Sequence, residues 1–139
     1  MSFTPRLLLV EDDPQDAFLV RRYLSDLPYG GEILAVSGMH DTKARLADAV
    51  DIACVIVDLK LADGSGATLI EWMLDHPALK DVPVIVFSGD RSQNPELDTL
   101  SNVACLIQKP ASPEGYEALA QALHPIVSSA LARSVYAAQ

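Results

Sequence analysis

The sequence predicts an α/β domain built on a doubly wound parallel β-sheet with helices on both faces. The first observation is that short apolar runs alternate five times with longer amphipathic runs of helical spacing. The second is that the central apolar runs are rich in β-branched residues, as buried parallel strands are. Right-handed crossovers between such strands place helices on both faces. A chain of 139 residues suits one domain of this kind.

Five apolar runs are predicted to be strands. The first is apolar after its opening arginine, and the third and fourth are the most strongly β-branched. The second and fifth have weaker patterns. The predicted strands are Arg6–Val10, Glu32–Val36, Cys54–Val57, Val84–Phe87 and Cys105–Gln108.

Helical patterns fill the gaps between these strands. The first helix has a clear start, because Asp13 is a good N-cap and Pro14 suits the first helical position. The third helix is ended by Pro77. The predicted helices are Pro14–Leu27, His40–Val50, Ala67–His76, Pro95–Leu100 and a fifth that starts at Ser112 or Pro113.

The fifth helix is expected to kink or stop near Leu123, because Pro125 cannot donate a helical hydrogen bond. We therefore divide the chain into a domain of residues 1–124 and a C-terminal helical extension of residues 125–139. The extension either folds back on its own domain or packs against the same segment of a second chain. Its apolar stripe at helical spacing consists of Ile126, Val127, Ala130, Leu131 and Val135.

The charge and the hydropathy of the chain exclude some partners. The formal net charge is −9, and an acidic surface repels phosphate backbones, so no binding to nucleic acid is expected. The apolar runs are far shorter than the roughly 20 residues that a membrane-spanning helix needs. Acidic residues interrupt the first apolar run at once, unlike in a signal peptide. We expect a cytoplasmic protein that does not enter a membrane.

Polar residues follow four of the predicted strands directly. They are Glu11 and Asp12 after the first, Asp58 after the third, Ser88 after the fourth and Lys109 after the fifth. The carboxyl ends of parallel strands meet at one edge of the sheet, so we expect these side chains to converge there. Carboxylates this close need positive charge between them. A hard divalent cation such as Mg²⁺, which binds carboxylate oxygens and water, would supply it.

In this order and spacing, the motifs resemble those of the receiver domain of two-component response regulators. They are Glu11-Asp12, Asp58 within D-L-x-L with Gly66 eight residues on, Ser88-Gly89, and Lys109-Pro110. The resemblance covers the chain from Arg6 to about Leu123. It implies a receiver domain at residues 1–124, with a flavodoxin-like sheet in the strand order 2-1-3-4-5.

The resemblance also implies a role for each site residue. Asp58 would accept a phosphoryl group from the phosphohistidine of a sensor histidine kinase. The Ser88 hydroxyl and the Lys109 ammonium would each bind a phosphoryl oxygen. Phosphoryl transfer needs positioning and charge neutralisation more than covalent help. The protein would therefore not be an enzyme, beyond intrinsic autophosphorylation and autodephosphorylation. The residues implied to hold Mg²⁺ are Glu11, Asp12, Asp58 and, through its backbone carbonyl, Lys60.

Three positions depart from the family pattern, and one of them is Ala111, which is smaller than the bulky residue that is usual after Lys-Pro. Ala62 stands where the family usually has proline, and Leu106 stands where it usually has an aromatic ring that swings inward on activation. Leucine cannot make that movement, which leaves the output mechanism open.

The segment LLVEDDPQDAFLVRRYL resembles single-domain regulators paired with phytochromes. This narrower resemblance implies a bacteriophytochrome as kinase, signalling by protein contact without an output domain, and a homodimer through the fifth helix and strand and the extension.

Three other classes of protein share parts of this pattern. A phosphatase of the haloacid dehalogenase type needs a second Asp two residues after its nucleophile, where this chain has Lys60. A flavodoxin-type flavin carrier needs a phosphate-binding loop after the first strand, where this chain has acids. The remaining alternative is a pseudo-receiver that binds partners without being phosphorylated, although all the catalytic positions are filled.

Overall fold

The computed structural model describes residues 6–25, 32–47, 52–89, 97, 99–110, 112 and 115–137. Its strands are β1 (Arg6–Val10), β2 (Glu32–Val36), β3 (Ile52–Val57), β4 (Lys60–Leu61), β5 (Gly64–Ser65), β6 (Val84–Ser88) and β7 (Val103–Gln108). Five of them form one parallel sheet in the order β2-β1-β3-β6-β7, and β4 and β5 form a separate antiparallel hairpin. Without the hairpin, this is the predicted order 2-1-3-4-5, and the predicted fold class is confirmed.

Four helices are described: α1 (Pro14–Leu24), α2 (Met39–Ala47), α3 (Gly66–Leu74) and α4 (Gly115–Ala137). Asp13 caps α1 as predicted, since its carboxylate accepts a hydrogen bond from the backbone N–H of Gln15 at 2.8 Å. The predicted helix Pro95–Leu100 falls mostly on residues outside the described ranges, as do the last residues of the first two predicted helices.

Helices cover both faces of the sheet, and the side chains of β1 point alternately to these two faces. Leu7 and Leu9 belong to a core layer with residues of α1 and α4. Leu8 and Val10 point to the opposite face and belong to a layer with residues of α2 and α3. Every residue of β3 and β6 is buried. The site at the strand ends therefore stands on a rigid, fully packed base.

We expected the fifth helix to kink or stop near Leu123; it does not stop there, because α4 continues through Pro125 to Ala137. Side chains on both sides of the proline are buried in the core layer that faces α1, including Leu123, Val127 and Ala130. This packing holds the helix together across the missing hydrogen bond. Val127 and Ala130 of the stripe after the proline thus enter the core of their own domain, and α4 runs without a break across residue 124. No helix in the described ranges is both long and apolar enough to cross a membrane.

Candidate functional site

The carboxyl ends of the central strands bring most of the predicted residues to one edge of the sheet. The backbone N–H of Asp58 donates to the carbonyl of Val10 at 3.0 Å, and that of Lys109 donates to the carbonyl of Ser88 at 2.8 Å. Asp58 and Ser88 are buried. The ladder hydrogen bonds of neighbouring strands thus continue into the site and hold its residues in register.

The Lys109 ammonium lies at the centre of the site. Its Nζ is 2.7 Å from Glu11 Oε2, 2.9 Å from Asp58 Oδ2 and 2.9 Å from Asp16 Oδ2. The contact with Glu11 Oε2, a buried atom, is an ion pair whose atoms are not aligned as a hydrogen bond. The positive charge that the crowded carboxylates require is therefore supplied, at least in part, by this lysine.

Burial and ion pairing act in opposite directions on the two most enclosed charges. Burial raises the pKa of Glu11 to about 7, and the contacts with Lys109 and with the Asp13 backbone offset only part of this effect. Burial alone would lower the pKa of Lys109, but its close contacts with the carboxylates of Glu11, Asp58 and Asp16 together raise that pKa. The lysine therefore stays charged at neutral pH, while Glu11 exchanges a proton near neutrality.

Asp16 and Tyr116 belong to the site but were missed as site residues from the sequence. Asp16 lies in the first turn of α1, where its Oδ2 contacts Lys109 and its Oδ1 accepts a hydrogen bond from the Tyr116 hydroxyl at 3.1 Å. Tyr116 is buried in α4, and burial, followed by the negative charge of Asp16, raises its pKa. One signal could have identified Asp16: the first turn of a helix that follows a strand lies above the functional edge of the sheet.

The carboxylate of Asp12 is bound by backbone N–H groups of two loops. Its Oδ1 accepts a hydrogen bond from the Gly38 N–H at 2.6 Å, and its Oδ2 accepts one from the Ala62 N–H. Gly38 has a φ of 82°, a conformation that suits glycine. The family's usual proline at position 62 would have no N–H to donate. Asp12 therefore ties the turn before α2 to the loop after β3.

A second acid strengthens the same link between loops. Asp63 Oδ1 accepts a hydrogen bond from the Met39 N–H at 2.6 Å, and its Oδ2 accepts one from the His40 N–H at 3.0 Å. These backbone donors at the start of α2 lower the pKa of Asp63. The loop after β3 is thus held against α2 by two carboxylates.

The predicted Mg²⁺ ligands have the right chemistry, because Mg²⁺ binds carboxylate and carbonyl oxygens. In this structure, however, their side chains have other partners. In the part of the chain that the structure describes, no three His, Cys, Asp or Glu side chains are grouped so that they could hold a metal ion. Asp12 is bound to backbone amides, while Glu11 and Asp58 share Lys109. Lys60 is next to the site, where its N–H donates to Asp58 Oδ1 at 3.2 Å.

Comparison with known proteins assigns most of the chain to one family. Residues 7–121 match the family model of the response regulator receiver domain. The chain is 26% identical over 121 residues to the transcriptional regulatory protein AruR of Pseudomonas aeruginosa, a match that covers 81% of this chain and 46% of that protein. The chain thus spans about half the length of this curated relative.

Solved structures show the same fold. The phosphorylated cyanobacterial phytochrome response regulator RcpA matches with a TM-score of 0.79 and 23% identity, over 88% of this chain and 93% of that one. The Mn(2+)-bound form of the response regulator Rcp1 matches with a TM-score of 0.80 and 21% identity, over 88% and 94%. At these identities, the likeness shows a common fold.

Proposed function

Because the chain belongs to the response regulator receiver domain family, we propose that it accepts a phosphoryl group from a sensor histidine kinase on Asp58 and signals by contact with another protein. One observation carries this proposal. The Asp58 carboxylate stands at the end of β3 with one oxygen 2.9 Å from the Lys109 ammonium and the other bound to a backbone N–H. It is a fixed, nearly buried nucleophile beside a fixed cation.

In the proposed transfer, an oxygen of Asp58 attacks the phosphorus of a phosphohistidine. A bond between phosphorus and the carboxylate oxygen forms while the bond between phosphorus and nitrogen breaks, and the histidine leaves. Lys109 would neutralise charge on the phosphoryl oxygens, which is the main demand of this reaction. Ser88, which ends β6 beside Lys109 in the ladder, would donate its hydroxyl to another of these oxygens.

The cation of the site stays a prediction. We propose Mg²⁺ as the physiological ion, with Glu11, Asp12, Asp58 and the Lys60 carbonyl as its ligands. The description of Rcp1 as Mn(2+)-bound supports a search for a divalent ion. Asp12 would first have to leave its two backbone donors, so we assign the ion no part in the transfer described above.

We further propose a phytochrome-type kinase as the partner and a cytoplasmic location. The phytochrome link is supported by RcpA, which is described as a phytochrome response regulator.

A homodimer through β7, α4 and the extension is also proposed. β7 is an edge strand of the sheet with half-buried apolar side chains. Val127 and Ala130 pack within their own domain, so the dimer contact would be made by other residues of β7, α4 and the extension.

Treatment with acetyl phosphate and Mg²⁺, followed by intact-mass and peptide mass spectrometry, tests the proposed function. We expect one added phosphoryl group on Asp58, and none in Asp58→Asn. Asp75→Asn is the matched control, because it makes the same change at an exposed residue after α3 and should be labelled like the wild type. Folded wild-type protein that takes no label would instead favour the pseudo-receiver alternative.

A further inference from the structure

We infer that Asp16 is a positioning residue for Lys109 and that, through Tyr116, it couples the phosphoacceptor to α4. The two oxygens of Asp16 have different partners: Oδ2 is 2.9 Å from Lys109 Nζ, and Oδ1 accepts the Tyr116 hydroxyl at 3.1 Å. These partners are 93 and 100 residues away in sequence. The carboxylate thus joins α1, the end of β7 and α4 at one point.

The crowding of carboxylates around the lysine makes this coupling sensitive to phosphorylation. The ammonium donates hydrogen bonds to Asp16 and Asp58 and makes an ion pair with Glu11. A phosphoryl group on Asp58 would add charge and acceptor oxygens beside the same ammonium. The phosphoryl oxygens would therefore compete with the existing carboxylates for the ammonium. This step rests on the proposed function, whereas the resting geometry does not.

Burial indicates that the contact with Asp16 is the one that weakens. Its side chain is 24% exposed, against 2% for Glu11 and 11% for Asp58. A carboxylate that can be rehydrated loses less on leaving an ion pair than one that stays buried. Glu11 would lose its ion pair with almost no access to water, and Asp58 would carry the new group. Asp16 is therefore the partner from which Lys109 withdraws.

Tyr116 is placed to respond to that change. Its ring packs edge-to-face on Phe87, with ring centroids 5.9 Å apart, and the Lys109 ammonium lies 5.6 Å from the centre of the Phe87 ring. Tyr116 belongs to the core layer that faces α1, as does Phe87. Leu106, at the position of the family's usual aromatic ring, packs against the opposite layer. The relay thus carries a signal to the face of α1 and α4.

A mutant cycle on the full-length protein tests the resting relay without phosphorylation. The readout is the Cζ resonance of Tyr116 in ¹³C-labelled tyrosine, assigned by its loss in Tyr116→Phe. Lys109→Met should shift this resonance in the wild type and shift it much less in the Asp16→Asn background. Asp12→Asn is the matched control, since it changes a site carboxylate with other partners and should leave the resonance in place. Equal shifts in both backgrounds, or none in either, would overturn the relay.

Phosphorylation with acetyl phosphate gives the second readout, with labelling of Asp58 measured by mass spectrometry on the same samples. Labelled wild type should show a shifted Tyr116 resonance, and labelled Asp16→Asn should not. If Asp58 is labelled and the resonance stays in place, the relay is wrong while the proposed function stands. If Asp58 takes no label, the proposed function fails, and the mutant cycle alone decides whether Asp16 couples Lys109 to Tyr116.

Discussion

Replacing Val127 by alanine tests whether the end of α4 belongs to the core of the domain. The side chain of Val127 is 0% exposed and lies in the core layer that contains Cys54 and Ile56 of β3. The substitution removes two methyl groups, worth about 0.8 kcal/mol each in lost burial. The space that they leave adds to this cost where the core cannot close over it. We expect the free energy of unfolding to fall by about 2 kcal/mol.

Urea unfolding, followed by circular dichroism at two protein concentrations, measures this loss. Ser129→Ala is the matched control, because Ser129 is exposed on the same helix. It should change the free energy of unfolding by no more than about 0.5 kcal/mol. If Val127 packs within its own chain, Val127→Ala should lower the midpoint equally at both concentrations.

Two results would contradict this reasoning. If Val127→Ala and Ser129→Ala unfold at the same midpoint as the wild type, the end of α4 contributes nothing to the core. If the wild-type midpoint rises with protein concentration and Val127→Ala removes that rise, Val127 is stabilised by a second chain instead. That second result would support the dimer contact through the extension that the sequence predicts.

Three further predictions concern the site. The pKa of Glu11 is raised from 4.5 to about 7, so between these pH values the folded state keeps a proton that the unfolded state releases. The free energy of unfolding should therefore fall as the pH rises from 4.5 to about 7. Glu11→Gln should flatten this pH dependence in urea titrations. Ala62→Pro removes one backbone donor that competes for the Asp12 carboxylate, a hydrogen bond worth about 1 kcal/mol. Mn²⁺ binding, measured by paramagnetic resonance titration, should therefore become about fivefold tighter. Ala62→Ser keeps the N–H and should leave the affinity unchanged. A Cβ at Gly66 would clash with the backbone of Asp58, the proposed phosphoacceptor, so Gly66→Ala should lower the thermal midpoint and slow labelling. Gly89→Ala, whose Cβ would meet no atom within 4 Å, should do neither.

The sheet and the centre of the site could be predicted because both follow from patterns that are local in sequence. Buried parallel strands are continuous apolar runs, and β3 differs from its prediction only by starting two residues earlier. A polar residue directly after such a strand must lie at the carboxyl edge of the sheet. The proximity of Asp58 and Lys109 could therefore be predicted from the sequence, although they are 51 residues apart.

The partners of Asp12 and Asp16 could not be predicted in this way. Asp12 is bound by backbone N–H groups, whose directions depend on the folded shape of two loops and not on residue type. Asp16 already had a local explanation, as an acid in the first turn of a helix. Its hydrogen bond with Tyr116 requires α1 and α4 to pack side by side, which no periodicity within either helix indicates.

The continuation of α4 through Pro125 shows how packing can outweigh a local rule. A proline inside a helix costs about 3 kcal/mol, and on that cost alone the helix should end. Burying one valine side chain contributes about 1.5–3 kcal/mol, and Val127 is joined in the core by Ala130 and, in part, by Ile126. Burial of this size offsets the local cost, so continuing the helix is favoured once β3 offers a surface to cover. Val127 and Ala130 after the proline were therefore the stronger signal, and they pack in the core of their own chain.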